Sequence, residues 1–245
     1  QYFQQRNIPT YSLQHGLYFV FKDLISIDAV AYVNFVSDFH LTWGQYSKEE
    51  LQLFGVPDHK LLVGGYPRDV KFIKKDISKL KINQCVVFLA RKQYEHSNLS
   101  LLTILKEFSR QNSDVIFKLK LHPSLSIDYY ENLVSNSELV LISSNLTLTQ
   151  LLKSNEFDLS ITVNTAAYYE SYIYNVPSLR YFDGTFENSI SIDDDVFDSM
   201  DELQGQFFRL NAIEDNDAYF NLINERLQYS IGLDINNYNY YLNDI

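Results

Sequence analysis

Two hydrophobic periods divide this chain. From Cys85 onward, apolar runs of strand length alternate with segments whose apolar residues recur at helical spacing. Cys85–Leu89, Val115–Leu121, Leu139–Ser143, Phe157–Ile161 and Ser178–Phe182 read as strands. Leu99–Arg110, Ile127–Val134, Leu148–Lys153 and Thr165–Tyr174 read as the helices between them. Strands that alternate with helices imply right-handed crossovers, and hence a parallel sheet covered on both faces. The second half is therefore expected to be doubly wound.

The first half is sparser. Ile8–Leu13 reads as a strand ended by Gln14-His15-Gly16, His40–Trp43 as a strand closed by Gly44, and Lys60–Val63 as a strand ending in the turn Gly64-Gly65-Tyr66-Pro67. Ser47-Lys48-Glu49-Glu50 has the form of a capping box, opening a short helix that Gly55 stops. Between residues 69 and 83 regular apolar spacing lapses and Lys71, Lys74, Lys75, Lys79 and Lys81 accumulate, as in a solvated connection. The plan is thus α/β with two Rossmann-like domains. Residues 1–70 form part of the first, 71–82 a linker, 83–200 the second, and 201–245 a C-terminal helical segment with helices near Asp201–Leu210 and Asp217–Tyr229. Three strands fall short of the five or six of a Rossmann half. The only methionine is Met200. The expectation is a first domain that lacks its opening strands, in a chain processed or cut from a longer one.

Composition narrows the function. With 245 residues and 46% hydrophobic content, a sizeable core is available. A formal charge of −11, with dispersed basic residues, removes nucleic acid from the expected partners. Cys85 is the single cysteine and lies in an apolar run, so it reads as a buried small hydrophobe in a reducing compartment, which points to the cytoplasm. Neither a membrane-spanning run nor a signal-peptide pattern is present in the sequence given.

In open α/β sheets, ligands bind beyond the carboxyl ends of the strands. Polar residues that end apolar strands there are His15, Arg91 and Lys92, His122, and Asn164 with Thr165. Each has an ordinary explanation as a turn residue or a solvated cation. Together they put histidines, cations and an amide-rich helix start on one rim, which suits an anion such as a diphosphate. Glu170, in the helix that begins near Thr165, could accept hydrogen bonds from ribose hydroxyls, or be an ordinary helix glutamate. The sequence has no HExxH, CxxC pair, Walker A loop, GxGxxG or GxSxG, which argues against zinc hydrolysis, P-loop phosphoryl transfer, nicotinamide chemistry and serine esterases. Asp193-Asp194-Asp195 reads better as an acidic surface loop than as a Mg²⁺ site.

Four segments carry a family resemblance: Gln14-His15-Gly16, Gly65-Tyr66-Pro67-Arg68-Asp69, Lys120-Leu121-His122-Pro123 and the stretch from Asp158 to Thr165. In order and spacing they resemble bacterial CDP-glycerol glycerophosphotransferases and the related capsule-polymer transferases of sialyl and Kdo type, which have the GT-B fold. The resemblance spans roughly residues 8 to 184. It implies that His15 is the catalytic base and that Arg91, His122 and Thr165 hold the donor, and Lys92, Asn164 and Glu170 join the candidate donor site from their places on the rim. It also implies transfer from a nucleotide-activated donor, CDP/CMP or UDP in type, to a glycan acceptor of a bacterial surface polysaccharide or the cell wall. The donor is a substrate, and no metal or resident cofactor is required. Peripheral association with the inner face of the membrane and a homodimer that covers the short first sheet are compatible with this plan. A UDP-sugar 2-epimerase-like isomerase shares the two-Rossmann plan, and a non-catalytic partner protein of the same fold is the third reading.

Overall fold

The computed structural model describes residues 2–16, 33–68, 77, 80–163, 165–184, 195–234 and 236–243. The chain divides into two compact units, one of Gln1–Phe72, Thr185–Ile190 and Phe220–Ile245, the other of Ile73–Gly184 and Ser191–Tyr219.

The second unit is a six-stranded parallel sheet in which β4 (Gln84–Phe88), β5 (Ile116–Lys120), β6 (Val140–Leu141), β7 (Leu159–Val163), β8 (Ser178–Tyr181) and β9 (Val196–Phe197) lie in the order β6-β5-β4-β7-β8-β9. Its core explains the near-continuous apolar strands. Successive side chains of a strand face opposite sides of the sheet. Cys85, Val87 and Leu89 accordingly join one cluster, and Val86 and Phe88 another. The first cluster is completed by α2 (Glu95–Gln111), whose Leu101, Leu105 and Phe108 recur at helical spacing, by Tyr130 and Val134 of α3 (Ile127–Val134), and by Leu203, Phe207 and Leu210 of α6 (Met200–Asn211). Phe108 meets Phe207 at 4.7 Å and Phe117 at 5.8 Å between ring centroids. The second cluster is closed by Leu151 and Leu152 of α4 (Leu148–Lys153) and by Ala167 of α5 (Ala167–Ile173). A sheet covered on both faces is the expected doubly wound arrangement. Cys85 is fully buried, and burial pushes its thiol well above the ordinary range.

Several boundaries move for identifiable reasons. The predicted strand at Phe157–Ile161 begins two residues later, because the Asp158 carboxylate is occupied with the Asn83 and Gln84 N–H groups at 3.0 and 2.9 Å. The strand predicted at Leu139–Ser143 contracts to two residues, and β9 is an edge strand too short to announce itself in the sequence. The expected linker lies largely outside the described residues. At its end, the Ile82 N–H donates to Asn211 and the Ile82 side chain joins the second unit's core. The C-terminal helices do not form a separate segment: α6 belongs to the second unit, and residues from Phe220 belong to the first. Among the described residues, no helix is long and apolar enough to cross a membrane.

In the first unit, β1 (Tyr11–Leu13), β2 (Phe39–Thr42) and β3 (Leu61–Val63) form a parallel sheet in that order. Helix α1 (Gln45–Leu53) begins after Gly44, two residues before the predicted capping box, so Ser47 is a buried residue inside the first turn and caps nothing. The turn at 64–66 proves to be a docking platform for the C-terminal chain. Helix α7 (Asn216–Ser230) ends at Gly44, Tyr66 N–H donates to the Gly232 carbonyl at 2.7 Å, and Tyr238 of α8 (Asn236–Asn243) donates its hydroxyl to the Gly65 carbonyl at 2.8 Å. Gly65 has φ of +91°, and a Cβ there would lie 2.7 Å from the Asp234 carbonyl oxygen. Gly44 has an extended backbone that any residue could hold, but its Cβ would lie 2.4 Å from the Tyr229 carbonyl oxygen and 2.5 Å from the Ser230 carbonyl carbon.

Gly44→Ala therefore forces the end of α7 away from the Gly44 backbone. It is expected to destabilise the first unit by about 1–3 kcal/mol, the usual cost of overpacking, seen as a lower thermal midpoint by circular dichroism. An unchanged midpoint would contradict this close approach.

His40 gives a pH prediction. It is 1% exposed, stacks on Phe35 and shares a hydrogen bond of 2.9 Å between Nδ1 and Ser12 Oγ. Burial lowers its pKa from 6.5 to about 4. Between those values the unfolded chain binds a proton that the folded chain refuses, so stability should fall as pH drops from 6.5 towards 4 and change no further from this group below that. The His40 ring should titrate near pH 4 by NMR, and a midpoint at 6 or above would refute the assignment.

Candidate functional site

The order β6-β5-β4-β7-β8-β9 reverses direction between β4 and β7: the chain runs from β4 outward to β6, then returns to β7 on the other side. The crevice at the carboxyl ends of those two strands is where a doubly wound sheet takes its ligands. Phe88 of β4 pairs with Lys120 on one side and with Thr162 on the other. His122 lies two residues beyond Lys120, and Thr165 three beyond Thr162, so both leave the sheet on the same rim. The strands that carry them flank β4 and are separated by about 10 Å, two interstrand spacings.

Arg91, Lys92 and His122 are brought together. The Lys92 N–H donates to Ser124 Oγ at 3.1 Å, and Ser124 Oγ is 2.9 Å from His122 Nδ1. The Ser124 N–H also donates to His122 Nδ1, at 3.1 Å. A backbone N–H can only donate, so Nδ1 is an acceptor, and the proton of the neutral ring sits on Nε2. Desolvation and then the nearby Arg91 charge lower the His122 pKa from its ordinary 6.5, which holds the ring in that neutral form. The side chains of Arg91, Lys92 and His122 are exposed, so two cations and a neutral N–H donor stand at the rim. Helix α2 begins just after them without a side-chain cap, and its positive end adds to the same field.

This loop is held from below. Asn98 is fully buried in α2, and its carboxamide accepts from the Ala90 N–H and donates to the Ala90 carbonyl, both at 2.9 Å. Ser97, one residue earlier, donates its hydroxyl to the Asp183 carboxylate beyond β8. An open cleft of about 520 Å³ adjoins the cluster, lined by Lys92, Glu95, Ser124, Leu125, Ser126 and Tyr129.

The remaining candidates fare differently. Thr165 is half-buried and its Oγ1 accepts the Ala167 N–H at 3.3 Å, so its hydroxyl serves the start of α5. The predicted helix at Thr165–Tyr174 shortens to Ala167–Ile173 accordingly. Glu170 lies in the first turn of α5 and is half-buried. Asn164 lies outside the described residues, as do Asp193 and Asp194; Asp195 is buried. Among the described residues, no group of three or more histidine, cysteine or acidic side chains is placed to hold a metal.

In the first unit, His15 is exposed just beyond the carboxyl end of β1. Its neighbour Gln14 is buried, with Oε1 accepting the Trp43 N–H at 2.6 Å and Nε2 donating to the Gly16 carbonyl at 2.7 Å and to Ser47 Oγ at 3.0 Å. Ser124, Asn98, Ser97 and Asp183 escape sequence reasoning, since each is a common polar residue whose partner comes from a distant or backbone group. Only the Ser124 spacing, two residues after His122, could have suggested a side-chain turn.

Asn98→Ala would leave the buried Ala90 N–H and carbonyl without partners. The expected loss is about 1–3 kcal/mol, read by chemical denaturation, and a stability equal to the parent's would show that the loop does not depend on this carboxamide.

No family model and no curated protein matches the chain. Solved structures do. The UDP-GlcNAc 2-epimerase of Methanocaldococcus jannaschii in complex with UDP-GlcNAc and UDP aligns with a TM-score of 0.62 at 13% identity, covering 91% of this chain and 71% of that one. HepE of Anabaena in complex with UDP-glucose aligns with a TM-score of 0.62 at 14% identity, over 99% and 74% of the two chains. TarM, a protein of S. aureus, aligns with a TM-score of 0.58 at 11% identity, over 97% of this chain and 50% of its own. Likeness at such identity is likeness of fold: the chain has the Rossmann-like, parallel-sheet α/β architecture of GT-B type.

Proposed function

We propose that this chain acts on nucleotide-activated donors, as a glycosyltransferase or polyol-phosphate transferase in the synthesis of a bacterial surface polysaccharide or cell-wall glycan. The observation that carries the reading is the rim beside the switch point, where Arg91 and Lys92 lie close to His122, whose proton sits on Nε2, on a loop anchored by Asn98. Donors of this kind complement a diphosphate and the negative charge that grows on it as the transferred group departs. They supply that stabilisation from the protein's own side chains. The structural relatives described with UDP, UDP-GlcNAc and UDP-glucose support a UDP-type donor over CDP or CMP. TarM, described with UDP and alpha-GlcNAc-glycerol, supports a sugar moved to a polyol-containing acceptor. Thr165 and Glu170 are assigned to the donor's far side on the neighbouring β7–α5 connection, and His15 is assigned as the base that takes the acceptor hydroxyl's proton.

Calorimetry with UDP, CDP, CMP and GDP tests the donor assignment. His122→Ala should weaken UDP binding by about 10- to 100-fold, the worth of a hydrogen bond to a charged group. His15→Ala should leave UDP affinity within about twofold and abolish turnover, because a base acts only in the transition state. Equal binding losses in both variants would defeat this division of roles. Isomerisation of the donor without an acceptor would mark an epimerase instead, and failure to bind any nucleotide would mark a non-catalytic protein.

A further inference from the structure

Gln14 is 2% exposed, and both polar atoms of its carboxamide are used. Its backbone is engaged as well: its N–H donates to the Leu41 carbonyl at 3.0 Å, and its carbonyl accepts the indole N–H of Trp43 at 3.0 Å. Three of these bonds bind the end of β1 to the end of β2, and the bond to Ser47 ties it to the first turn of α1. The remaining bond, from Nε2 to the Gly16 carbonyl, does something else. It spans His15, closing residues 14 to 16 into a ring of side chain and backbone with the histidine at its middle.

A clamp that served only the core would need the Trp43 and Ser47 contacts and no more. The Gly16 bond runs between polar atoms at the strand's end and adds nothing to the apolar interior. Its effect is to remove the swing that a glycine after a strand end would otherwise allow. A carboxamide is also the one common side chain that can do all of this at once. It must accept from Trp43 while donating to both Gly16 and Ser47. A carboxylate of the same shape supplies the acceptor alone, and an isosteric leucine supplies neither.

We propose that Gln14 is a positioning residue, whose carboxamide fixes the turn that presents His15 for proton transfer. The proposal rests on the reading of His15 as the base given above. Misplacing a reacting group by an ångström costs about 10²-fold in rate, so the exposed His15 gains a defined position from a neighbour that touches no substrate.

The test uses the full chain and Gln14→Glu, which keeps the acceptor for Trp43 and loses the donors to Gly16 and Ser47. Trp43 is the only tryptophan, so its emission reports directly whether the clamp's core side is intact. The expected result is an unchanged emission maximum and unchanged UDP affinity, together with an His15 ring that becomes mobile on the nanosecond scale by NMR relaxation. With UDP-glucose as the donor probe, kcat for UDP release should fall about 10²-fold while KM stays within about twofold. An His15 as ordered as in the parent, in a folded variant, would overturn the proposal; so would a raised KM with kcat unchanged. Should Gln14→Glu fail to fold, the parent protein decides. Slow exchange of the Gln14 Nε2 protons with a cross-relaxation contact to Gly16 supports the proposal, and fast exchange overturns it. Turnover that survives His15→Ala overturns the base assignment itself, whereas an ordered His15 in Gln14→Glu overturns only the positioning role, so the two failures are distinguishable.

Discussion

A strand leaving a buried parallel sheet must hand its last N–H and carbonyl groups to some partner, because water cannot reach them and leaving them unpaired is expensive. In both units that partner is a carboxamide. Asn98 receives the exit of β4 at Ala90 with one donor and one acceptor. Gln14, itself at the exit of β1, takes the Trp43 N–H at the exit of β2 and returns two donors to its surroundings. At the opposite end of the second sheet, the Asp158 carboxylate collects two adjacent N–H groups where β4 begins. Arg91 directly follows the pinned Ala90, with Lys92 next to it, and His15 directly follows Gln14. Satisfying the backbone and placing these candidate residues are therefore one structural event.

The electrostatics of the second rim follow from the same economy. His122 is kept neutral by a backbone donor on Nδ1, partial desolvation and the Arg91 charge. A protonated imidazole would have to break the Ser124 N–H bond and stand near the Arg91 charge. The rim thus presents two permanent cations and a neutral directional donor. That combination distinguishes an oriented phosphate from a diffuse anion, since direction comes from the N–H and attraction from the charges. These positive groups stand on a chain whose net charge is −11.

The doubly wound sheet was legible because burial on both faces of β4 and β7 makes largely apolar runs of strand length, which alternate with segments of helical spacing. Helices α3 and α4 coincide with their predicted bounds, since Ser126 and Thr147 cap them with side chains visible in the sequence. What failed to show was anything set by a distant partner. The capping-box pattern at Ser47 was misleading because Gln14, far away in sequence, claims that hydroxyl. The Gly64-Gly65-Tyr66 turn read as a plain strand end, and its glycines in fact admit Gly232, Asp234 and Tyr238. His122, Arg91 and Lys92 were legible from their place at strand ends, whereas Ser124 and Asn98, which make them a cluster, were not.

That division has a physical origin that bears on how such sites arise. Residues at strand ends are exposed to ligand and free of the sheet's hydrogen-bond ladder, so their chemistry can change while the fold persists. The carboxamides beneath them are buried, with donor and acceptor both committed, so substituting them strands a backbone group. A rim built this way tolerates new donors or acceptors at Arg91, Lys92 or His122 and resists change at Asn98 and Gln14. Chains as different in sequence as this one and its structural relatives, at 11% to 14% identity, can then share a fold while their rims differ in residue.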